Sequence, residues 1–583
     1  MVDRWLVETD LSDEWNFYTR ANVGEVFPDP VAPLSFSYFQ HSGGLGGSEM
    51  GFRNAYYRIG AMERGELPED QCVFLGVTGG YCYLNASALR MLGHRAPGMT
   101  AQDIDDAFFG DASGVPEFVV KPGFDRPDLT EKIRETFNWV LTTPDLPDVK
   151  RHEELMNDLR RNRPDLTAMS DRELIESALA LADEHFEMLF TEHIFISFLA
   201  TLPIGIITKV CAAVGRETDT LKLLAGLGDV ESAEPAMVMW DLGRIVAASP
   251  DLNALFDAGY GGLHDRLVAS NSPDAEAFLD AFADFTFHYG CRGPNEWETR
   301  SPTWETEPDL ALAAIDRMRV SGESAAPRKH NTDRAGEREA IGAEIAAMLE
   351  GDPETQGQFL AALRSATVFM PGRERTKTNN IKLVQELRVR YNEFGRRRVA
   401  DGTFHKPNDF GLLTRDELLE AIDDPGKFTP LLAEREALID EVSALQEPFL
   451  FHGSRPDMSA YPRRDAVEII EVQQGEVVQG VPGCPGIVRG IARVVTDSHD
   501  PTALAPGDIL VAPITDPSWT PLFVPAAGVV VDVGAPLSHA IIVSRELGIP
   551  CVVSATDATK RIPDGATIEV NGDIGTVTIL SMP

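Results

Sequence analysis

Near Phe451 the hydrophobic pattern of this chain changes period, and that change calls for at least two separately built regions. From Pro127 to Met348 apolar residues recur at helical spacing. In Asp171–Phe190, for example, Leu174, Ala178, Leu181 and Phe186 share one stripe, with acids on the opposite face. The same pattern resumes in EAIGAEIAAMLEG, NNIKLVQELRVRYNEFGRRRVADG and LLAEREALIDEVSALQ. Ser321–Glu339, polar and turn-rich, is expected to be an exposed connection between helices. After Phe451 the breaker-rich HGSRPDMSAYPRRDA gives way to short β-type runs separated by Gly and Pro, interrupted by one compact helix, AIIVSREL. The chain has 583 residues, more than the ~250–300 that one core fills. The expectation is a multidomain α+β protein: a mainly helical region over residues 1–450, a linker over 451–480 and a small α/β domain over 481–583.

Charge narrows the partners. There are 52 basic and 91 acidic residues, a net charge of −39. Such a surface repels phosphate backbones and anionic lipid, so neither nucleic acid nor membrane is expected. Six cysteines without CxxC spacing read as reduced, buried thiols of a cytoplasmic protein, with no metal site among them. MVDRWLVETD has no basic-then-apolar secretion pattern. The most apolar stretch, His193–Gly215, is interrupted by Pro203 and Lys209 and reads as a core helix broken or kinked near Pro203.

The strongest chemical signal is GVVVDVGAPLSHAIIVSRELGIPCVVSA. Val529–Val533 is expected as a buried strand, Gly534-Ala535-Pro536 as a tight exit, and Ser538-His539 as the opening of a helix beginning near Ala540. Gly548 suits the helix end, and Pro550 prevents continuation. An imidazole at a helix mouth meets the positive end of the dipole, which favours the neutral nucleophilic ring. The first-turn amides can then solvate a phosphoryl group attached to it. Capping of the helix by this histidine, bonded to Ser538, is the purely structural alternative.

These residues resemble the mobile phosphohistidine domain of the phosphoenolpyruvate-utilising enzymes, which include phosphoenolpyruvate synthase, pyruvate phosphate dikinase and rifampin phosphotransferase. The resemblance runs through GDILVAPITDPSWTPLFVPAAGVVVDVGAPLSHAIIVSRELGIPCVV and the upstream GCPGIVRGIARVV. It implies a swivelling domain phosphorylated on His539, with Ser538 beside it. Ala535 departs from the family's second glycine. Further upstream, TRANVGEVFPDPVAPLSFSYF, HYGCRGPNEWETRSPTWETEP, RERTK and DGTFHKPNDFGLLTRDEL resemble the substrate domain of rifampin phosphotransferase.

A transferring phosphoryl group carries charge on three oxygens, so cationic clamps are expected around it. Arg373 and Lys377, four apart on a helix, would face one anion, with Arg292 and Arg300 as further clamps. Glu296 or Glu374 could take the acceptor's proton or orient an arginine, and a buried Glu296–Arg300 ion pair is an equally adequate reading. The glycine cluster His41–Gly51 lacks a Walker ending and reads as a turn lining the substrate pocket.

The domain order also resembles the larger subunit of phenylphosphate synthase and of the related cresol-phosphorylating system. That implies a separate ATP-grasp subunit that binds ATP with Mg2+ and loads His539, and a phenol or cresol as acceptor. A rifampin-type phosphotransferase and a non-catalytic phosphocarrier are the alternatives.

Overall fold

The structure is a computed structural model that describes the chain apart from residues 1–4, 42–43, 110–113, 228–233, 323–325, 465–471, 497–502, 516–518 and 535–537. The chain is mixed α+β, with a long, mainly helical N-terminal part and a small C-terminal sheet domain. It divides into two compact units that interleave along the sequence. Unit 1 comprises Met1–Ala200, Trp297–Ser301 and Arg375–Val467, and unit 2 comprises Thr201–Glu296, Pro302–Glu374 and Glu468–Pro583.

Among the helices are α1 (Gly47–Ile59), α2 (Asp171–Leu199), α3 (Thr201–Ala213), α4 (Pro327–Met348) and α5 (Pro353–Ala400). The start of α2 is set by a reciprocal capping box between Ser170 and Glu173. Its buried face carries Leu174, Ala178 and Phe186 of the expected stripe, whereas Leu181 lies at the edge, half-buried. Asp171–Ala213 is long and apolar enough to cross a membrane by length and composition alone, yet half of its most apolar window is buried inside the protein. The helix is divided at Ala200, three residues before Pro203, whose missing N–H falls harmlessly in the first turn of α3.

Two expectations require correction. Ser321–Glu339 is not wholly a connection, because α4 begins at Pro327. Proline at the first helical position starts a helix as readily as it breaks one. The glycine cluster is likewise not a pocket-lining turn over its described part (Ser42 and Gly43 lie outside the described residues). A Cβ on Gly47 would sit 2.8 Å from the Phe186 ring and one on Gly51 2.7 Å from the Phe190 ring, so these glycines let α1 lie close against α2.

Unit 1 holds a four-stranded sheet of β1 (Phe17–Thr19), β2 (Leu75–Thr78), β3 (Tyr81–Asn85) and β4 (Leu450–His452), in the order β2-β3-β1-β4. Its pairings are antiparallel, and β1 meets β4 with Tyr18 opposite Phe451.

Unit 2 holds β5 (Val477–Gln479), β6 (Val481–Cys484), β7 (Ile487–Val494), β8 (Ile509–Ala512), β9 (Gly528–Val531), β10 (Cys551–Val553), β11 (Thr567–Asn571) and β12 (Thr576–Ser581). Their order is β5-β12-β11-β7-β8-β9-β10-β6. Strands β7 to β10 are parallel, and β8, β9 and β10 are buried throughout and apolar, as strands covered on both faces must be, whereas β7 exposes Ile487 and Ile491. Helix α6 (His539–Leu547) is the crossover between β9 and β10. One buried apolar cluster joins Trp240 and Phe285 of the unit's helices, and Trp304 of a turn between helices, to Trp519, Phe523 and Ile541 of the sheet domain. All six cysteines are buried and none is disulfide-bonded.

Candidate functional site

The sequence folds locally as its residues dictate. β9 is buried throughout, and α6 ends where Gly548 adopts a left-handed conformation, φ 78°. The helix starts at His539, one residue earlier than the sequence suggests, with Ser538 in the extended N-cap conformation. Parallel α/β sheets place ligand-binding residues at the carboxyl ends of their strands, and His539 sits beyond the carboxyl end of β9. Ala535 lies outside the described residues.

The imidazole does not bond to Ser538. Its Nδ1 lies 3.2 Å from the Thr515 hydroxyl and its Nε2 3.1 Å from the Thr520 hydroxyl. Phe523 meets the ring edge-on at 5.6 Å. His539 is 8% exposed, so these contacts hold it inside the domain in this conformation. Each hydroxyl can donate or accept, so the pair supports either neutral tautomer. Ser538 Oγ is buried with no hydrogen-bond partner among the described residues and does not cap the helix, which leaves a donor beside the ring. Thr515 and Thr520 were not singled out in the sequence. Both belong to the TDPSWT segment of the motif that follows β8, with Thr520 opening the short helix Thr520–Phe523.

Gly534 makes this geometry possible. A Cβ there would lie 2.8 Å from Val553 Cβ and 3.2 Å from Ser538 Oγ. Gly534→Ala is expected to destabilise the sheet domain by about 1–3 kcal/mol, the usual range for overpacking, as read from urea unfolding. Unchanged stability would mean that the turn has slack.

Asp532, at the end of β9, accepts bonds from the Thr559 amide at 2.8 Å and from the Thr559 hydroxyl. Burial nonetheless pushes its carboxyl up from 3.8 to about 6. The folded domain therefore holds a proton that the unfolded chain has released. This contribution to stability is complete below the unfolded value and is lost as pH rises through about 6. Asp532→Asn is expected to flatten that loss, seen as unfolding midpoints that no longer differ on the two sides of the window.

The remaining expected residues are distributed over both units. His539, Ser538, Arg292, Glu296, Arg373 and Glu374 belong to unit 2, and Arg300 and Lys377 to unit 1. Arg292 and Glu296 form a buried pair at 3.0 Å. They sit on a loop pinned by Trp304 N–H to Arg292 C=O and Glu305 N–H to Gly290 C=O, each 2.9 Å. Arg373 pairs with the adjacent Glu374 on α5, and Lys377 follows one turn later. Arg300 pairs with Glu436 and donates to Asn408 C=O. The acid partner of Arg300 thus comes from 136 positions along the chain, not from Glu296, which serves Arg292. Among the described residues no group of three or more His, Cys, Asp or Glu is placed to hold a metal ion.

Residues 504–575, which span His539 and its threonine cradle, match the family described as PEP-utilising enzyme, mobile domain. The C-terminal sheet domain thus matches the PEP-utilising mobile domain over those residues. Residues 192–374 match the rifampicin phosphotransferase fourth domain. Over 97% of its length the chain is 26% identical to the prodigiosin synthesizing transferase PigC of Serratia marcescens, covering 63% of that protein. It is 31% identical to the rifampicin phosphotransferase of a Streptomyces species over 62% of the chain and 41% of the relative. It is 25% identical to the uncharacterized phosphotransferase YvkC of Bacillus subtilis over 69% of the chain and 48% of the relative. The chain thus spans less than two thirds of each of these relatives. The mobile domain and these likenesses relate it to phosphotransferases.

Proposed function

We propose that this chain is a phosphotransferase whose His539 accepts a phosphoryl group originating in ATP and passes it to the hydroxyl of a small organic acceptor. The setting of His539 carries this reading: a helix-initiating imidazole between two hydroxyls, beside a Ser538 hydroxyl with no partner among the described residues, in a region that matches a mobile domain. The first-turn amides of α6 and Ser538 Oγ are the groups that would receive phosphoryl oxygens.

Loading is assigned to a separate ATP-grasp subunit, with Mg2+ held beside its nucleotide, in the cytoplasm. The mobile domain then leaves the position seen here, exposing the ring, and delivers the phosphoryl group to the acceptor. A tether keeps the local concentration of phosphohistidine in the millimolar range while it does so. Arg373, Lys377, Arg292 and Arg300 supply positive charge for the transfer. The proposed acceptor is a phenol or cresol, which gives an aryl phosphate. A rifampicin-type acceptor is the second reading, favoured by the 31% identity to a rifampicin phosphotransferase.

Chemical phosphorylation with potassium phosphoramidate tests the carrier role. The expected product is an acid-labile, alkali-stable phosphate that peptide mapping places on His539. Label elsewhere in the chain, or none, would contradict the assignment.

A further inference from the structure

Helix α4 meets the sheet domain at the end of α6 remote from His539. From α4, the Arg334 guanidinium donates to Arg545 C=O in the last turn of α6, and the same nitrogen lies 3.7 Å from Cys484 Sγ at the end of β6. The last carbonyls of a helix have no partner within it, and a cation is favoured at that negative end. One turn along α4, Arg338 donates to the C=O groups of Ala225 and Gly226, which ties the loop after the helix Thr220–Leu223 to α4. All of these residues belong to unit 2.

Nearer His539 the contact is apolar. Thr520, whose hydroxyl meets His539 Nε2, opens the short helix Thr520–Phe523, and that helix packs against the helix Glu234–Ala248. Phe523, which meets the imidazole edge-on, is wholly buried in the cluster that also holds Trp240 and Phe285. The segment that cradles His539 is therefore covered by the helical part of the unit.

Glu546 works against this position. It is 2% exposed, and its Oε2 has no hydrogen-bond partner among the described residues. Burial pushes its carboxyl up to about 7, against the pull of Arg545, Arg334, the Gly226 amide and Arg338. A carboxylate oxygen buried without a hydrogen bond is a cost that departure of the domain returns to water. An apolar seal and a guanidinium cap thus hold the domain, while a buried carboxylate favours its release.

We propose that Arg334 is the latch of an autoinhibited state. Its guanidinium on the end of α6 holds the sheet domain where the helix Glu234–Ala248 covers the His539 segment, and breaking that contact frees the histidine. The inference rests on the reading of the C-terminal domain as one that moves to deliver a phosphoryl group.

The test reads exposure of the ring in the full chain as its rate of carbethoxylation by diethyl pyrocarbonate, mapped to His539 by mass spectrometry. That rate follows the population in which the segment is uncovered. Arg334→Ala removes a charged hydrogen bond and is expected to raise the rate at His539 roughly 10–100-fold. The rate at His94, in unit 1, should stay at its wild-type value. Arg334→Lys keeps the charge and a donor and should give a rate at His539 between the two. Hydrogen exchange separates release from unfolding, because β8 and β9 should keep their wild-type protection in Arg334→Ala. A His539 rate within about twofold of wild type, or a faster rate accompanied by loss of protection in β8 and β9, would overturn the inference. The reagent modifies the imidazole whether or not the ring carries phosphate in the reaction. Phosphoramidate label that maps away from His539 therefore defeats the carrier reading alone, and the latch is still read by this test.

Discussion

His539→Ala is expected to reduce phosphoryl transfer from γ-labelled ATP to this chain, in the presence of the proposed loading subunit, to background. A carrier residue forms the covalent intermediate itself, so no neighbouring group compensates when it is removed. Thr515 and Thr520 border the ring, but a hydroxyl held against an imidazole is a far poorer phosphoryl acceptor than the neutral ring nitrogen. The fold should survive. The substitution removes an edge contact with Phe523 and two neutral hydrogen bonds, a loss of about 1–3 kcal/mol, and circular dichroism should show a native spectrum. His539→Asn keeps a polar group against the threonines and should be equally inactive, which separates chemistry from packing. Label retained in either variant would place the carrier elsewhere.

Glu298→Ala should have the largest effect on stability. The carboxylate is 5% exposed and accepts from the Ala32 amide at 3.1 Å, the Ser35 hydroxyl at 2.6 Å and the Arg300 amide at 3.1 Å. It thereby ties the segment around Ser35 to the loop carrying Trp297. Alanine would leave the buried Ala32 amide and the part-buried Arg300 amide without an acceptor, leave the Ser35 hydroxyl with Thr299 alone and open a cavity, an expected loss of about 3–5 kcal/mol. Ser35→Ala removes the bond to Glu298, the contact with the Thr299 hydroxyl and the acceptor of the Thr299 amide, and should cost about 1–3 kcal/mol. Chemical denaturation followed by tryptophan fluorescence would measure both. A loss below about 1 kcal/mol for Glu298→Ala would show that water replaces the carboxylate.

How far the sequence could be read depended on the range of the interaction. Local signals were legible: the Val run of β9, the Gly548-Ile549-Pro550 stop of α6 and the apolar stripe of α2 each encode their structure within a few residues. The fold class and the resemblance to the mobile domain emerged from those patterns. Tertiary partnerships were not legible. Thr515 and Thr520 reach His539 from 24 and 19 positions away, and nothing in their spacing names an imidazole as partner. The partner of Arg300 is equally remote. Pro327 misled because proline both starts and interrupts helices, and only its neighbours in space decide which.

The most direct test of the account is 31P NMR of the full chain after loading. The account predicts a phosphohistidine resonance that is absent from His539→Ala and that decays on addition of the acceptor as a phosphate-ester resonance grows in equal measure. A phosphohistidine signal that decays only to inorganic phosphate, at the same rate with and without acceptor, would contradict it.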